Sequence, residues 1–374
     1  NMDDLSKFRA GDLLGFLLKL DPEQEKFVTR NLALTGPTLL KGAPGTGKST
    51  VAIYRVRELI RTLPSIPDKP RILFTTYTNA LIAFTKQLLE QLLGPEAALV
   101  DVRTADSLVR AIVGRECTGK IPGGYEAEAA VAKAAASTAF EGNGLVRRAQ
   151  EEAIGRLTPE YLRDEIGGVI EGRSLETLDD YLVAIRPGRL VPLKKIQRQA
   201  VWAVRERLVA DLKQANAWTW ERLRRRALRL VEAKPGTCRY DAVVVDEAQD
   251  LDPVVLALLT RVCVDPSRLF ITADANQSIY GSGFRWKNVH ESLKFTGSRS
   301  GTLRTNHRST REIGLAANSY LANGLLEAVE EEIRFEHSGA LPAVRGVDSR
   351  EAEVALLVRF LKEASREARL PATS

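Results

Sequence analysis

The chain has 374 residues, of which 44% are hydrophobic and 27% charged, and its formal net charge is +6. This is the composition of an ordinary folded protein with room for two or three cores; it excludes a disordered or fibrous chain, and no apolar run is long enough to span a membrane. The positive balance favours an anionic partner, while Cys117, Cys238 and Cys263, odd in number and far apart, suit neither a disulfide framework nor a zinc site and fit a reducing, bacterial-type cytoplasm.

Leu5 to Leu20 carries apolar residues at helical spacing, and Asp21-Pro22 opens a second helix that contains Gln24. A glutamine there is ordinarily a solvated side chain, yet its amide can both donate to and accept from an adenine edge. Pro37 to Lys41 reads as a strand. It runs into Gly42, Ala43, Pro44, Gly45, Thr46, Gly47, Lys48 and Ser49, which fit G-x-x-x-x-G-K-[ST] at every fixed position. The glycines let backbone N–H groups turn inward, and the helix that follows, Thr50 to Leu63, adds its positive end, so the stretch is suited to cradle a polyphosphate. Lys48 is placed for the β- and γ-phosphates of ATP and the Ser49 hydroxyl for Mg²⁺, with Thr50 completing the nucleotide-contacting set.

Further strands are predicted at Arg71 to Thr76 and Ala98 to Val102, with helices over Asn79 to Leu93 and from Asp106. This alternation predicts an α/β fold, a parallel sheet with helices on both faces. The pattern breaks between Thr118 and Pro235, where helical periodicity takes over and implies an inserted helical subdomain. Its later part is basic, with Lys194, Lys195, Arg198, Arg205 and Arg207, then Arg222, Arg224, Arg225, Arg226 and Arg229 around Trp202, Trp218 and Trp220. Such residues suit nucleic-acid phosphates and bases, but equally suit solvated helix faces over core tryptophans.

The sheet pattern resumes at Asp241 to Val245, a buried-strand run that delivers Asp246 and Glu247 at its end. Asp246 is placed to hold Mg²⁺ through water, and Glu247 to position or deprotonate an attacking water. A further strand, Arg268 to Thr272, leads to the polar cluster Asp274 to Tyr280. Beyond Thr302 to Ser309, a helix is predicted over Arg311 to Asn323, a strand near Ala343 to Val347 and a final helix over Arg350 to Arg366.

The ordered set of motifs resembles the UvrD/Rep-like branch of superfamily 1 helicases, ATP-driven translocases on single-stranded DNA. Gln24 matches that family's adenine-reading glutamine and Gly42 to Ser49 its first motif. Thr76-Tyr77-Thr78-Asn79 and Arg103 to Ser107 match strand-contacting motifs, Val244 to Asp250 the DEAQD motif, Asp274 to Tyr280 and Asn306-His307-Arg308-Ser309 the later ones. The resemblance implies DNA contacts by Tyr77, Thr78, Asn79 and Thr104, and base stacking by Tyr77 and Trp286. It implies γ-phosphate sensing by Gln277, a γ-phosphate contact by Arg308 from a second motor lobe, and adenine stacking by His307 in place of the usual tyrosine. Asp106 stands where the family has histidine, and its carboxylate would repel a DNA phosphate.

The implied layout is an N-terminal helix over 1–20, a RecA-like ATP-binding domain over 21–116 and 236–300, a helical insert over 117–235 in the position of the family's 1B subdomain, and the start of a second RecA-like lobe over 301–374. The family's motifs His-x-x-Lys-Gly-x-Glu and Thr-Arg-Ala do not follow Arg308. The expectation is therefore the first part of a longer motor that moves 3′ to 5′ on single-stranded DNA, a part that binds ATP with Mg²⁺, hydrolyses it poorly alone and partners the remainder of its own polypeptide. The rival is a nucleotide-gated DNA-binding or protein-docking module that recruits a partner such as a nuclease. A small-molecule kinase would leave Asp274 to Tyr280 and Asn306 to Arg308 without a role.

Overall fold

The computed structural model describes residues 20–29, 36–63, 70–76, 78–186, 189, 191–236, 238–274, 293–295, 297–322 and 333–368. Tyr77, Gln277 and Trp286, and all but the last residue of the helix expected over Leu5 to Leu20, lie outside them. The chain divides into two compact units, one over Leu20–Arg304 and one comprising Thr305–Ser374 with Asn1–Lys19.

In the first unit a six-stranded sheet is built from β1 (Thr38–Gly42), β2 (Ile72–Thr76), β3 (Val100–Thr104), β4 (Ala242–Val245), β5 (Leu269–Asp274) and β6 (Ser300–Leu303). The order is β3-β2-β4-β5-β1-β6, and every pairing is parallel. Inner strands such as Val243-Val244-Val245 and Leu269-Phe270-Ile271 are buried on both faces, as a parallel sheet covered by helices requires. Gly42 pairs with Asp274 and Val245 with Ile271, so the segments that follow β1, β4 and β5 emerge side by side at the carboxyl edge.

Four helices flank this edge: α1 (Pro22–Thr29), α2 (Lys48–Thr62), α3 (Asn79–Leu93) and α4 (Ala105–Val113). Arg55 of α2, 1% exposed, donates to the Val28 carbonyl at 2.8 Å and so fixes the end of α1 on α2.

The insert holds α5 (Gly124–Ser137), α6 (Gly144–Gly155), α7 (Pro159–Asp164), a π-helical stretch Glu165–Glu171, α8 (Leu178–Val183) and α9 (Lys195–Gln214). It has its own core, which includes Val131, Leu162, Ile170, Tyr181, Val201 and Trp202. At its neck the Trp218 amide donates to the Lys120 carbonyl at 2.9 Å. Gly119 allows that approach, because a Cβ there would lie 1.8 Å from the Asn216 carbonyl oxygen.

Two expected boundaries move. The helix α10 (Trp220–Ala233), expected within the insert, places Leu223, Ala227 and Val231 in the core of the sheet domain with Val109 and with Leu258 and Leu259 of α11 (Pro253–Val262). Apolar residues four apart give that helix one buried stripe, and the stripe faces the sheet domain. At the other end Ser300–Leu303 pairs with β1, so the first unit runs to Arg304 and not to residue 300.

The second unit contains β7 (Thr305–Thr310) and β8 (Arg334–His337), a parallel pair, with α12 (Arg311–Ala322) and α13 (Arg350–Ala368). The strand expected near Ala343 to Val347 does not form: these residues are exposed, Val344 by 91%, and no strand pairs with them. Val344 and Val347 are β-branched and suit a pleated surface, but a strand also needs a partner for its backbone groups.

Candidate functional site

The loop from Gly42 to Gly47 turns tightly between β1 and α2, with Gly45 at φ +83° and Gly47 at φ +84°. In that left-handed region a side chain is strained, and at Gly47 a Cβ would also lie 2.1 Å from Gln24 Nε2. The Thr46 hydroxyl closes the loop by donating to the Ala43 carbonyl at 2.8 Å. Pro44 is exposed, while Ala43 and Thr46 are buried. Lys48, 5% exposed, donates from Nζ to the carbonyls of Gly42 at 2.9 Å and Ala43 at 3.2 Å. The lysine is thereby held over the loop. Ser49 and Thr50 follow in the first turn of α2, where backbone N–H groups have no intrahelical acceptor.

Gln24 is buried, not solvated. Its Nε2 donates to the Thr46 carbonyl at 3.1 Å and its Oε1 accepts from the Asp21 amide at 3.1 Å, which ties α1 to the loop.

Beside the loop, Asp246 and Glu247 leave β4. Thr272, in the adjacent β5, donates its hydroxyl to Asp246 Oδ1 at 2.6 Å and accepts the Glu247 amide at 3.2 Å. Burial pushes the Asp246 carboxyl above its ordinary pKa, opposed by the Thr272 hydroxyl; the Glu247 charge raises it further, and the Ser49 hydroxyl and Lys48 charge oppose. Glu247 has φ +56°, a left-handed backbone that turns the chain sharply out of the strand. Gln249 donates to Glu247 Oε2 and accepts the Asp274 amide at 3.0 Å, which joins the ends of β4 and β5. Sequence reasoning assigned no role to Thr272 or Gln249. Gln249 lay inside a quoted motif, whereas Thr272 is marked by nothing in the sequence except its place near the end of a strand.

Thr78 and Thr104 are N-caps: the Thr78 hydroxyl accepts the Leu81 amide at 3.4 Å and that of Thr104 the Ser107 amide at 3.2 Å. Register pairs Thr76 with Thr104, so Thr78, Asn79 and Thr104 share one sheet edge, with Thr78 and Asn79 exposed. Asp106 is not left to repel phosphate. Arg224 grips it with both forks, at 2.8 and 2.9 Å, and also reaches Asp252.

In the second unit, His307 Nδ1 lies 2.9 Å from Glu336 Oε2, and buried Asn306 accepts the amides of Arg308 at 2.9 Å and Ser309 at 2.8 Å. Arg308 is exposed.

The basic, tryptophan-bearing part of the insert is largely self-satisfied. Trp202 is buried with its ring 6.2 Å from that of Tyr181, and Trp218 and Trp220 pack against the sheet-domain core. Arg198 donates to the carbonyls of Tyr181, Leu182 and Ala184, and Arg207 pairs with Asp211.

Comparison with known proteins agrees with this geometry. A model of the UvrD/REP helicase N-terminal domain matches residues 20–298. The protein YjcD of Bacillus subtilis is 23% identical over 364 residues, 92% of this chain and 44% of that protein. ATP-dependent DNA helicase PcrA of Leuconostoc citreum is 25% identical over 298 residues, 76% of this chain and 37% of the relative. DNA helicase II of Escherichia coli is 34% identical over 87 residues, 23% of this chain and 12% of the relative. The chain thus spans less than half the length of these relatives. With a matching model over most of its length, a parallel sheet and a phosphate loop facing two carboxylates, the chain belongs to the UvrD/REP helicase N-terminal domain family.

Proposed function

We propose that this chain is the ATP-binding and hydrolysing motor core of a UvrD-like helicase that travels on single-stranded DNA, 3′ to 5′ and in the cytoplasm. The observation that carries the reading is the convergence of Lys48, Ser49, Asp246 and Glu247 at one sheet edge, braced by Thr272.

Lys48 Nζ exchanges the two loop carbonyls for phosphate oxygens, while the backbone N–H groups at the start of α2 face the same anion. A carboxylate and a hydroxyl are hard oxygen ligands of the kind Mg²⁺ takes, and the buried Asp246 charge is what a cation would balance. Ser49 and Asp246 would hold Mg²⁺, which when bound would supply charge neutralisation to the phosphates. Glu247, half-buried and held at Oε2 by Gln249, accepts the proton of the attacking water at its other oxygen. Beyond its bonds to Thr46 and Asp21 the Gln24 amide keeps one N–H and one lone pair, and with these it would read adenine from α1, while Thr78, Asn79 and Thr104 meet DNA at the adjoining edge.

The test is linkage between the two ligands. Anisotropy of a labelled oligothymidylate is measured with and without a non-hydrolysable ATP analogue and Mg²⁺. A motor core requires the oligonucleotide affinity to change about fivefold or more, a coupling of about 1 kcal/mol. Equal affinity in both states sinks the motor reading in favour of a docking module.

A further inference from the structure

A second cluster of basic groups lies at the neck of the insert and plays no part in the nucleotide site. There a cavity of about 280 Å³ is lined by Arg205 of α9, by Arg222, Arg225, Arg226 and Arg229 of α10, and by Trp218. None of these residues belongs to the phosphate loop or to the ends of β4 and β5.

The charges do not balance. Glu171, at the end of the π-helical stretch, takes Arg205 at 2.7 Å and Arg225 at 2.8 Å; Glu176 takes Arg225 at 3.0 Å and also Arg229; Glu116 takes Arg226 at 2.6 Å. Four of the five guanidinium groups therefore share three carboxylates. Arg222 makes none of these pairs. It stacks instead over the Trp218 ring, 5.4 Å from the ring centre, which orients the guanidinium without using its five N–H donors. Arg225, only 8% exposed, keeps a buried Nε with no hydrogen-bond partner. Burial and the neighbouring Arg205 and Arg225 charges hold the Arg222 pKa below its ordinary value, although Glu171 opposes, as a site short of negative charge requires.

We propose that this cavity binds phosphate, as a pyrophosphate-sized oxyanion or as two adjacent phosphates of a nucleic-acid backbone. Planar guanidinium forks meet phosphate oxygens two at a time, so Arg222, which no carboxylate holds, is the principal donor, with Arg229 and Arg205 re-sharing their carboxylates. The cavity is about 280 Å³ and open to solvent, room enough for a pyrophosphate or for two phosphates of a longer chain to reach the arginines.

The experiment uses the full chain carrying Lys48→Ala, so that failure at the nucleotide site and failure here are distinguishable. Inorganic pyrophosphate is titrated by calorimetry, with melting curves recorded for every variant. The expected result is saturable binding in Lys48→Ala that weakens roughly tenfold when Arg222→Gln is added. Arg229→Gln, at a half-exposed position, weakens it by a smaller factor. Competition by an oligothymidylate assigns the site to backbone phosphate, and lack of competition assigns it to a free polyphosphate. No saturable binding in Lys48→Ala, or binding that neither arginine substitution weakens, overturns the proposal and leaves a closed ion-pair network.

Discussion

The hydroxyl of Thr272 donates to Asp246 at 2.6 Å and accepts the amide of Glu247 at 3.2 Å, so one side chain in β5 sets both carboxylate-bearing residues that leave β4. Thr272→Val keeps the shape and removes both contacts. A buried carboxylate left without its donor costs about 1–3 kcal/mol. The variant is expected to melt several degrees lower and to bind the Mg²⁺–nucleotide about tenfold more weakly. Differential scanning fluorimetry and nucleotide titration check this; unchanged melting and affinity would separate Thr272 from the site.

At Gly47 two constraints coincide, a left-handed backbone and the contact with Gln24 Nε2. Gly47→Ala is expected to cost about 1–3 kcal/mol and to weaken nucleotide binding. Combined with Gln24→Ala, the clash is removed but the backbone strain persists, so the double variant is destabilised by less than the sum of the two single changes. Strict additivity in chemical denaturation would show that Gln24 does not press on the loop.

The insert supplies a pH-dependent prediction. Burial pushes Glu165 up, but hydrogen bonds from Arg186 and Tyr181 and the charges of Arg186 and Arg189 outweigh it, so its pKa falls below the ordinary 4.5. A depressed carboxylate stabilises the fold fully above 4.5, and that stability is lost as pH falls through the lower folded value. Glu165→Gln leaves two arginines facing a neutral group; it is expected to cost about 3–5 kcal/mol at pH 7 and to flatten the acid limb of the stability curve below 4.5. Chemical denaturation of the chain and of Glu165→Gln at a series of pH values reads both effects.

The nucleotide site was legible because its chemistry needs particular side chains at fixed spacing: Gly42 to Ser49 after a strand, and Asp246-Glu247 after an apolar run. What went unread depends on partners far along the chain. Arg224 reaches Asp106 across 118 residues, and that pairing converts an expected repulsion into a tether between α10 and α4. The polar strand Ser300–Leu303 carries no alternation and is a strand only because β1 offers an edge to pair with. Val344 and Val347 have the β-branched side chains and lack the edge. The helix α10 read as part of the insert because periodicity gives a helix its apolar stripe but not the surface against which the stripe packs.

The central claim, that the loop from Gly42 to Ser49 holds a nucleotide through Lys48, is tested most directly by titrating a fluorescent ATP analogue with Mg²⁺ into the wild-type chain and into Lys48→Ala. The account predicts saturable, Mg²⁺-dependent binding in the wild type that falls by about a hundredfold in Lys48→Ala, consistent with loss of a charge-assisted contact to phosphate. Equal binding by the two proteins would contradict it.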